Sequence, residues 1–441
     1  MGNSNIKERV FASLNERIYE FDHDSGLHVQ IIPKKGFKKK FAFLATDFGS
    51  VNTEYIDENG KKVAVPCGTA HFLEHKLYEQ PDGDVMNQFA ALGADCNAAT
   101  GFSKTFYYFE CTQNFEASLD ILLRHVFHPY FTKENVEKEK GIIVQEINMY
   151  LDDAYYVGSA ELLKLLYKVN PVRNDIAGTE ESVMSITPEM LYACHDAFYR
   201  PNNMCLTVVG DVTTESVQEA LQRAKLPTQK GKIIKVYPDE PTEIFGKSSK
   251  CIMETSQTLF NFGFKDNPAK YKGIEMVRRK LAGRIAKEVL FGSSSDLYEK
   301  LYNSGYINYD FYASYEIERE YGMFTLSGAS EKVDIIQEEI KKYIENISKN
   351  GVNTKEFTAV RNALHGSSIR AFDALFYLGR AFGQFYLQGM DAFDYLTTCG
   401  KITEEEVNDI IKNLLRGEMA ISVVEPKGGF DICNNYDCTG R

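Results

Sequence analysis

The sequence predicts an α+β protein made of two homologous halves, each containing a mixed or antiparallel sheet with flanking helices. Runs rich in branched and aromatic residues, typical of strands, occur in both halves. Long segments between them carry apolar residues at helical spacing. The order of these elements in the first half recurs in the second, which indicates an internal duplication. Because 441 residues exceed one compact core, we expect an N-terminal domain over 1–225, a linker over 226–249 and a C-terminal domain over 250–441.

The first half begins with two strand-like runs at 27–33 and 40–48. A helix pattern over 67–80 follows, and then a second helix that ends at Gly93, a residue typical of helix C-termini. Two further strands are predicted within 96–111. The rest of this half is predicted to form three helices, a strand and a last helix, in this order: 115–126, 134–151, 188–199, 203–211 and 214–221.

The predicted linker contains three prolines and many charged residues without any periodicity. After it, the second half repeats the first in outline. The predicted segments are a strand at 258–265, helices at 271–290 and 295–303, strands at 308–315 and 322–327, helices at 333–348, 354–388 and 403–415, and a strand at 418–424.

The composition is that of an ordinary globular protein that does not bind nucleic acid. Hydrophobic residues make up 44% and charged residues 25%, and the net charge of −12 argues against the basic surface that nucleic acids require. No apolar run has the length of a membrane span, so we expect no membrane contact. Nine cysteines without a close-spaced framework indicate a reducing, cytoplasmic compartment. We interpret Cys433 and Cys438 as free thiols of an unstructured tail rather than a disulfide or a metal pair.

One segment, C-G-T-A-H-F-L-E-H-K-L-Y-E-Q at 67–80, carries two histidines four residues apart. If it is helical, His71, Glu74 and His75 project to one side, and the two imidazoles can bind one zinc ion. Glu74 is then placed to take a proton from the attacking water and to pass it to a leaving amine. The alternative is a solvated helix face. With 8 histidines, however, H-x-x-E-H arises by chance in roughly one such chain in a hundred, and it is the inverzincin signature.

A catalytic zinc usually takes a third protein ligand. The other histidines have no partner at ligand spacing, and we interpret them as surface or packing residues: His23, His28, His125, His128, His195 and His365. Carboxylates of the 134–151 helix are better candidates. Glu139 and Glu146 are seven residues apart and share a helix face, and Glu146 follows the apolar run I-I-V. The residues alone do not choose between these two, nor do they exclude Glu134 and Glu137.

The chain resembles the pitrilysin/insulysin family of zinc peptidases, which includes the mitochondrial processing peptidase. The similarity covers most of the chain and rests on three segments: H-F-L-E-H, E-K-G-I-I-V-Q-E-I-N-M-Y-L-D-D and F-Y-R-P-N-N-M-C-L-T-V-V-G-D-V. The resemblance implies that His71, His75 and Glu146 hold zinc and that Glu74 is the general base. It also implies that Glu139 orients a ligand from outside the metal's own shell.

The same resemblance implies how substrate binds. The segment N-A-A-T at 97–100 matches the family's edge strand, along which an extended peptide adds as a further strand. Asn97, Ala98 and Thr100 would contact the peptide. The two halves would form half of a clamshell chamber that favours short or unfolded peptides.

The second half departs from the family pattern. Self-sufficient members carry an Arg and a Tyr that grip substrate, but in the matching stretch 293–311 Tyr302 and Asn308 stand at about those positions. The chain therefore resembles the zinc-bearing subunit of a bacterial two-component pair. We expect a heterodimer with a homologous subunit that lacks H-x-x-E-H. The alternative is a homodimer that grips substrate through Tyr302, Tyr306 or Tyr309.

The expected activity is that of a zinc-dependent endopeptidase, with leader-peptide removal or maturation of a ribosomal peptide as expected roles. The alternative from another class is a non-catalytic peptide-binding or structural subunit of a processing complex. The intact set His71, Glu74, His75 and Glu146 argues against that alternative, because a non-catalytic chain is expected to lose at least one of them.

Overall fold

The computed structural model describes residues 6–228, 231, 233–266 and 271–427. Cys433 and Cys438 lie outside the described residues. The strands are Lys7–Phe11 (β1), Glu16–Asp22 (β2), His28–Pro33 (β3), Lys40–Thr46 (β4), Glu54–Ile56 (β5), Lys62–Ala64 (β6), Glu79–Gln80 (β7), Gly83–Asp84 (β8), Asp95–Thr100 (β9), Thr105–Cys111 (β10), Met204–Gly210 (β11), Ile234–Lys235 (β12), Ser248–Met253 (β13), Leu259–Asp266 (β14), Tyr312–Ile317 (β15), Gly322–Ala329 (β16) and Met419–Pro426 (β17).

Both halves contain helices before and after their strands, at segments where apolar residues recur at helical spacing. They are Thr69–Leu77 (α1), Val85–Ala91 (α2), Phe115–Phe127 (α3), Lys133–Leu151 (α4), Ala154–Leu166 (α5), Glu180–Ser185 (α6), Pro188–Phe198 (α7), Thr214–Ala224 (α8), Gly273–Phe291 (α9), Asp296–Asn303 (α10), Val333–Asn350 (α11), Thr354–Arg370 (α12), Leu375–Leu387 (α13), Ala392–Cys399 (α14) and Glu404–Arg416 (α15).

The first half contains a seven-stranded sheet in the order β1-β2-β3-β11-β4-β10-β9. Strand β11 runs parallel to β3, and the other pairs in this sheet are antiparallel. The central strand β4 reads K-F-A-F-L-A-T, and all its side chains after Lys40 are buried, as expected of a strand covered on both faces. Strand β9 forms one edge of the sheet, so none of the described strands pairs with the outer side of its backbone.

The second half contains a five-stranded sheet in the order β13-β17-β14-β16-β15. Strand β13 runs parallel to β17, and the other pairs are antiparallel. Each strand has a counterpart in the first sheet, in the order β3-β11-β4-β10-β9, with the same pattern of parallel and antiparallel pairs. This repeat confirms the predicted α+β fold of two homologous halves with mixed sheets.

The two halves exchange helices across their boundary. Helix α13 of the second half packs on the first sheet, where Leu378 and Phe382 share a buried cluster with Phe41 and Phe43 of β4. In return, α5 of the first half packs on the second sheet, where Leu166 shares a cluster with strand residues of that sheet. Each sheet therefore has one face covered by a helix from the other half, and the hydrophobic contact joins the halves.

Residues of the predicted linker are also held in place. Strand β12 pairs with β5 of the first half. The carboxylate of Glu240 accepts hydrogen bonds from the backbone N–H groups of 168–170 and pairs with Lys265 of β14. The limits of the two domains, at residues 225 and 250, remain a prediction. No helix among the described residues combines the length and the apolar character needed to cross a bilayer.

Candidate metal centre and active site

Helix α1 carries the two histidines and the glutamate of the H-x-x-E-H segment. Its first residue is Thr69, whose hydroxyl donates to the carbonyl of Pro66 at 2.7 Å and fixes the first turn. One helical turn separates His71 from His75, and their ring centroids lie 4.5 Å apart. His71 is buried, so this face of the helix is not the solvated surface considered as the alternative.

Helix α4 brings a carboxylate to both imidazoles. The Oε1 atom of Glu146 lies 3.6 Å from Nε2 of His71, and its Oε2 atom lies 3.5 Å from Nε2 of His75. Four ligands at 2.0–2.1 Å around a tetrahedral zinc stand about 3.4 Å apart, so these spacings fit a zinc ion. Among the described residues, these three form the one group of this kind, and Glu134 and Glu137 are not part of it.

Glu139 supports this group from the opposite side of an imidazole. Nδ1 of His75 lies 3.0 Å from Oε1 of Glu139, which orients the ring and leaves Nε2 to face Glu146. The fully buried Lys76 places its Nζ atom 3.8 Å from the other oxygen of Glu139 and also pairs with Glu79. Burial opposes ionisation of Glu139, but the hydrogen bond and the charges of His75 and Lys76 lower its pKa.

The two imidazoles differ in their electrostatics. Burial, together with the neighbouring His75, lowers the pKa of His71 to about 4, so His71 is neutral near pH 7 and can donate its lone pair to a metal. Burial acts in the same direction on His75. There, however, the hydrogen bond to Glu139 and the surrounding carboxylates prevail and raise its pKa.

Glu74 stands on the same helix face and contacts the edge strand. The hydroxyl of Thr100, the last residue of β9, donates to Oε2 of Glu74 at 2.7 Å. Burial raises the pKa of Glu74, although the hydrogen bond from Thr100 opposes that effect. A carboxyl group whose pKa is raised by burial is better matched to proton transfer at neutral pH than an exposed one.

A cavity of about 370 Å³ opens over these side chains. Ala98 and Thr100 line it along the edge strand, as does the intervening Ala99. Asn97 does not line this cavity. Its side chain is exposed, and its Oδ1 atom accepts the N–H of Ala98 at 2.8 Å, so it occupies a backbone donor of this edge strand. The structure thus brings two of the three predicted substrate-binding residues to the cavity wall.

Comparison with known proteins decides the family. Residues 65–180 match the insulinase family, peptidase family M16, and residues 185–364 match the peptidase M16 inactive domain. The uncharacterized zinc protease YmfH of Bacillus subtilis (strain 168) is 35% identical over 96% of this chain and 100% of its own length. The chain belongs to peptidase family M16. This result confirms the family that the sequence motifs indicate, and the relative's name implies zinc.

Solved structures agree with membership of the M16 family. An M16-like peptidase from Alicyclobacillus acidocaldarius is 30% identical, with a TM-score of 0.89 over 96% of this chain and 99% of that chain. Pitrilysin is 16% identical, with a TM-score of 0.74 over 96% of this chain, and it shares the fold. This chain covers only 47% of pitrilysin, so it corresponds to about half of that protein.

Three residues beside the candidate donor group were not predicted from the sequence. The hydroxyl of Tyr150 donates to Oε1 of Glu146 at 3.0 Å, and its ring stacks on Tyr156 with centroids 4.9 Å apart. The hydroxyl of Tyr156 in turn donates to Asp175. Tyr150 follows Glu146 by four residues on one helix, a spacing that the sequence displays. Asp175 comes from a loop, and no local pattern links it to the motif.

The predicted packing role of other histidines agrees with their surroundings. His125 and His195 are buried, and each bonds a backbone carbonyl at 2.8 Å, that of Ile121 and of Val126 respectively. Burial lowers the pKa of both imidazoles to about 4. Both rings are therefore neutral at pH 7, as is usual for histidines that pack in a core.

The residues that replace the gripping Arg and Tyr have other surroundings. Tyr302 is 51% exposed and stacks on Tyr298 with ring centroids 5.8 Å apart. The side chain of Asn308 accepts the N–H of Asp310 at 2.8 Å, an ordinary turn contact. Tyr309 is 85% exposed, whereas Tyr306 packs against the core of the second half.

Proposed function

We propose that this chain is a zinc-dependent endopeptidase that cleaves short or unfolded peptides. One observation carries the proposal. His71, His75 and Glu146 form a donor group with zinc spacing, and Glu74 lies beside it, hydrogen-bonded to the end of an open edge strand. A protein that only binds peptides needs the edge strand, but it needs neither the three donors nor the partly buried carboxylate of Glu74.

His71, His75 and Glu146 would hold the metal. Zinc, when bound, supplies Lewis-acid polarisation of a carbonyl and lowers the pKa of water. Glu74 takes the proton of the attacking water and later delivers it to the leaving amine. The hydrogen bond from Thr100 holds the Glu74 carboxylate in place beside the donor group. Glu139 holds His75 in the tautomer that turns Nε2 inward.

The peptide would bind as an added strand along β9. Main-chain hydrogen bonds to an edge strand require an extended segment, which folded substrates seldom offer. For this pairing, Asn97 would release the N–H of Ala98 and donate or accept through its own amide instead. The small side chains of Ala98 and Thr100 leave room for the peptide over the cavity. Asn97, Ala98 and Thr100 are therefore proposed as substrate contacts.

A partner subunit is part of the proposal. The chain covers about half of pitrilysin, and its 293–311 stretch contains no arginine, which supports a homologous subunit that supplies the gripping residues. A homodimer is the alternative, with the exposed Tyr302 and Tyr309 as gripping residues. Removal of a leader peptide or maturation of a ribosomal peptide in the cytoplasm is the role we propose for the pair.

The test compares wild type with Glu74→Gln on a peptide library, with zinc, alone and with the suspected partner. Glu137→Gln is the matched control, because Glu137 lies on α4 with a 53% exposed side chain and is outside the metal group. We expect wild type and the control to cleave, and Glu74→Gln to be inactive while keeping zinc. If all three are equally inert under every combination, or if the native protein holds no zinc, the peptidase proposal is wrong. Peptide binding without cleavage would then favour a non-catalytic subunit.

A further inference from the structure

The turn that ends the edge strand, residues 101–104, is held by the loop after β4. We call it the edge turn. The N–H groups of Ser50 and Val51 donate to the carbonyls of Gly101 and Phe102 at 3.1 and 2.9 Å. A Cβ atom on Gly49 would lie 2.5 Å from the carbonyl oxygen of Phe102, so only glycine permits this approach. These contacts hold the backbone of the edge turn against the loop after β4.

The second half holds the edge turn from the other side. Oε2 of Glu318, in the loop between β15 and β16, lies 2.8 Å from Nζ of Lys104 and 3.3 Å from the hydroxyl of Ser103. Its Oε1 atom lies 3.6 Å from Nζ of Lys280 on α9 and accepts a hydrogen bond from Gln388 after α13. One carboxylate thus joins four parts of the chain.

The same loop makes two further contacts with this end of the first sheet. The Arg319 guanidinium pairs with Asp47, just after β4, at 2.7 Å, and Lys235 pairs with the same carboxylate at 2.8 Å. The ring of Tyr321 meets the ring of Phe102 edge-on, with centroids 5.6 Å apart. The second half therefore contacts both the edge turn and the loop that follows β4.

The Lys104–Glu318 pair is buried. The two side chains are only 6% and 11% exposed. Burial alone would raise the pKa of Glu318, but the charges of Lys104 and Lys280 lower it to about 2. Such a pair, removed from water, holds its partners in a fixed geometry, because displacement of either residue takes a charged contact away from a buried group.

The edge turn is adjacent to the candidate catalytic carboxylate. Thr100 comes immediately before Gly101, and its hydroxyl bonds Glu74 at 2.7 Å. A shift of the turn therefore moves both the strand that would bind substrate and the residue that fixes Glu74. A misplacement of about 1 Å in such a constellation can cost roughly a hundredfold in rate.

We propose that Lys104 and Glu318 are positioning residues, through which the second half fixes the edge strand and the orientation of Glu74. This inference rests on the proposed peptidase function only for its effect on catalysis. The mechanical part, that the ion pair orders β9, holds whether or not the protein cleaves peptides. The described residues of the second half carry no donor group of the metal-binding type. The inference gives this half a role in the chemistry of the first half.

The test uses Lys104→Met in the full chain, with Lys265→Met as matched control. The Lys265–Glu240 pair has the same exposures, 6% and 11%, and ties β14 to the linker rather than the edge turn. Two quantities are measured: amide hydrogen exchange of residues 95–105 in zinc-free protein, and KM and kcat on a cleaved peptide. Lys104→Arg tests rescue by a retained charge. Lys104→Gln replaces Lys104→Met if the latter does not fold.

We expect Lys104→Met to speed exchange in 95–105 and to raise KM, each by about tenfold, whereas Lys265→Met leaves both within about twofold. Lys104→Arg should stay close to wild type. A variant that only lowers the folded fraction reduces apparent kcat but leaves KM unchanged, so KM separates positioning from stability. Unchanged exchange and KM in Lys104→Met would overturn the inference. If wild type cleaves nothing, the proposed function fails, and the exchange data alone still decide the positioning role.

Discussion

Replacing Tyr150 by Phe should weaken zinc binding without disturbing the fold. The hydroxyl of Tyr150 donates to Glu146 at 3.0 Å, and this hydrogen bond orients the carboxylate that lies 3.5–3.6 Å from both imidazoles. Phenylalanine keeps the ring that stacks on Tyr156 at 4.9 Å, so the packing is retained. The substitution therefore isolates a single hydrogen bond to a metal-type donor.

The size of the effect follows from the charge of the acceptor. A hydrogen bond to a charged group contributes about 1.5–3 kcal/mol, and loss of an outer partner of a ligand typically costs 10–100-fold in metal affinity. Since each tenfold change is about 1.4 kcal/mol, the two estimates agree. Tyr150 is only partly buried, so we expect the lower end of this range, about tenfold.

The assay is a zinc titration of metal-free protein against a chromophoric chelator at one pH. Tyr155→Phe is the control, because Tyr155 is 53% exposed at the start of the next helix. Thermal unfolding of the zinc-free forms should be the same for wild type and both variants. If Tyr150→Phe binds zinc within twofold of wild type, the hydroxyl does not orient Glu146, and the reasoning is refuted.

Two further predictions concern stability. In a thermal-shift assay, zinc at roughly 100 times its Kd should stabilise wild type by about 3 kcal/mol, and a chelator should remove this stabilisation. The His71→Ala variant should respond to neither zinc nor the chelator. An equal shift in the variant would contradict the proposed donor group. The second concerns acid. The pKa of Glu318 is lowered from 4.5 to about 2 in the fold, so its contribution is complete above pH 4.5 and is lost as pH falls toward 2. Denaturant unfolding measures the free energy of unfolding of wild type and of Glu318→Gln. The difference between them should shrink by about 2 kcal/mol from pH 6 to pH 3. A difference that does not depend on pH would show that Lys104 and Lys280 do not lower the pKa of Glu318.

Sequence patterns indicated the candidate donor residues because these residues lie on two helices with clear apolar periodicity. The predicted helix over 67–80 is observed at Thr69–Leu77, and the 134–151 helix at Lys133–Leu151. Spacing placed Glu139 and Glu146 on one helix face, and the structure separates their roles: Glu146 faces both Nε2 atoms, whereas Glu139 bonds Nδ1 of His75. That distinction depends on the angle between two helices, which no local pattern encodes.

Features that depend on distant partners were not predicted. The pattern of β13 alternates between exposed and partly buried side chains, but this strand begins at the end of the predicted linker and pairs with β17, more than a hundred residues away. The apolar faces of α5 and α13 indicate burial, yet nothing local says that each covers the sheet of the other half. The same limit applies to Lys104 and Glu318, which are 214 residues apart.

Among the described residues, only the first of the two repeated halves carries a donor group of the metal-binding type. The residues at the matching sheet edge of the second half show why. Tyr315 stands two residues before the end of β15, as Ala98 does in the matching strand β9. Ala98 borders the open cavity, whereas the Tyr315 ring lies so close to α9 that a Cβ on Gly283 would overlap it. The Tyr315 hydroxyl donates to Asp266 at 2.8 Å, and Arg279 of α9 pairs with the same carboxylate at 2.7 Å. The Tyr315 ring and the Arg279–Asp266 ion pair thus fill the space beside α9. The loop between β15 and β16, at the edge of the same sheet, instead contacts the first half through Glu318.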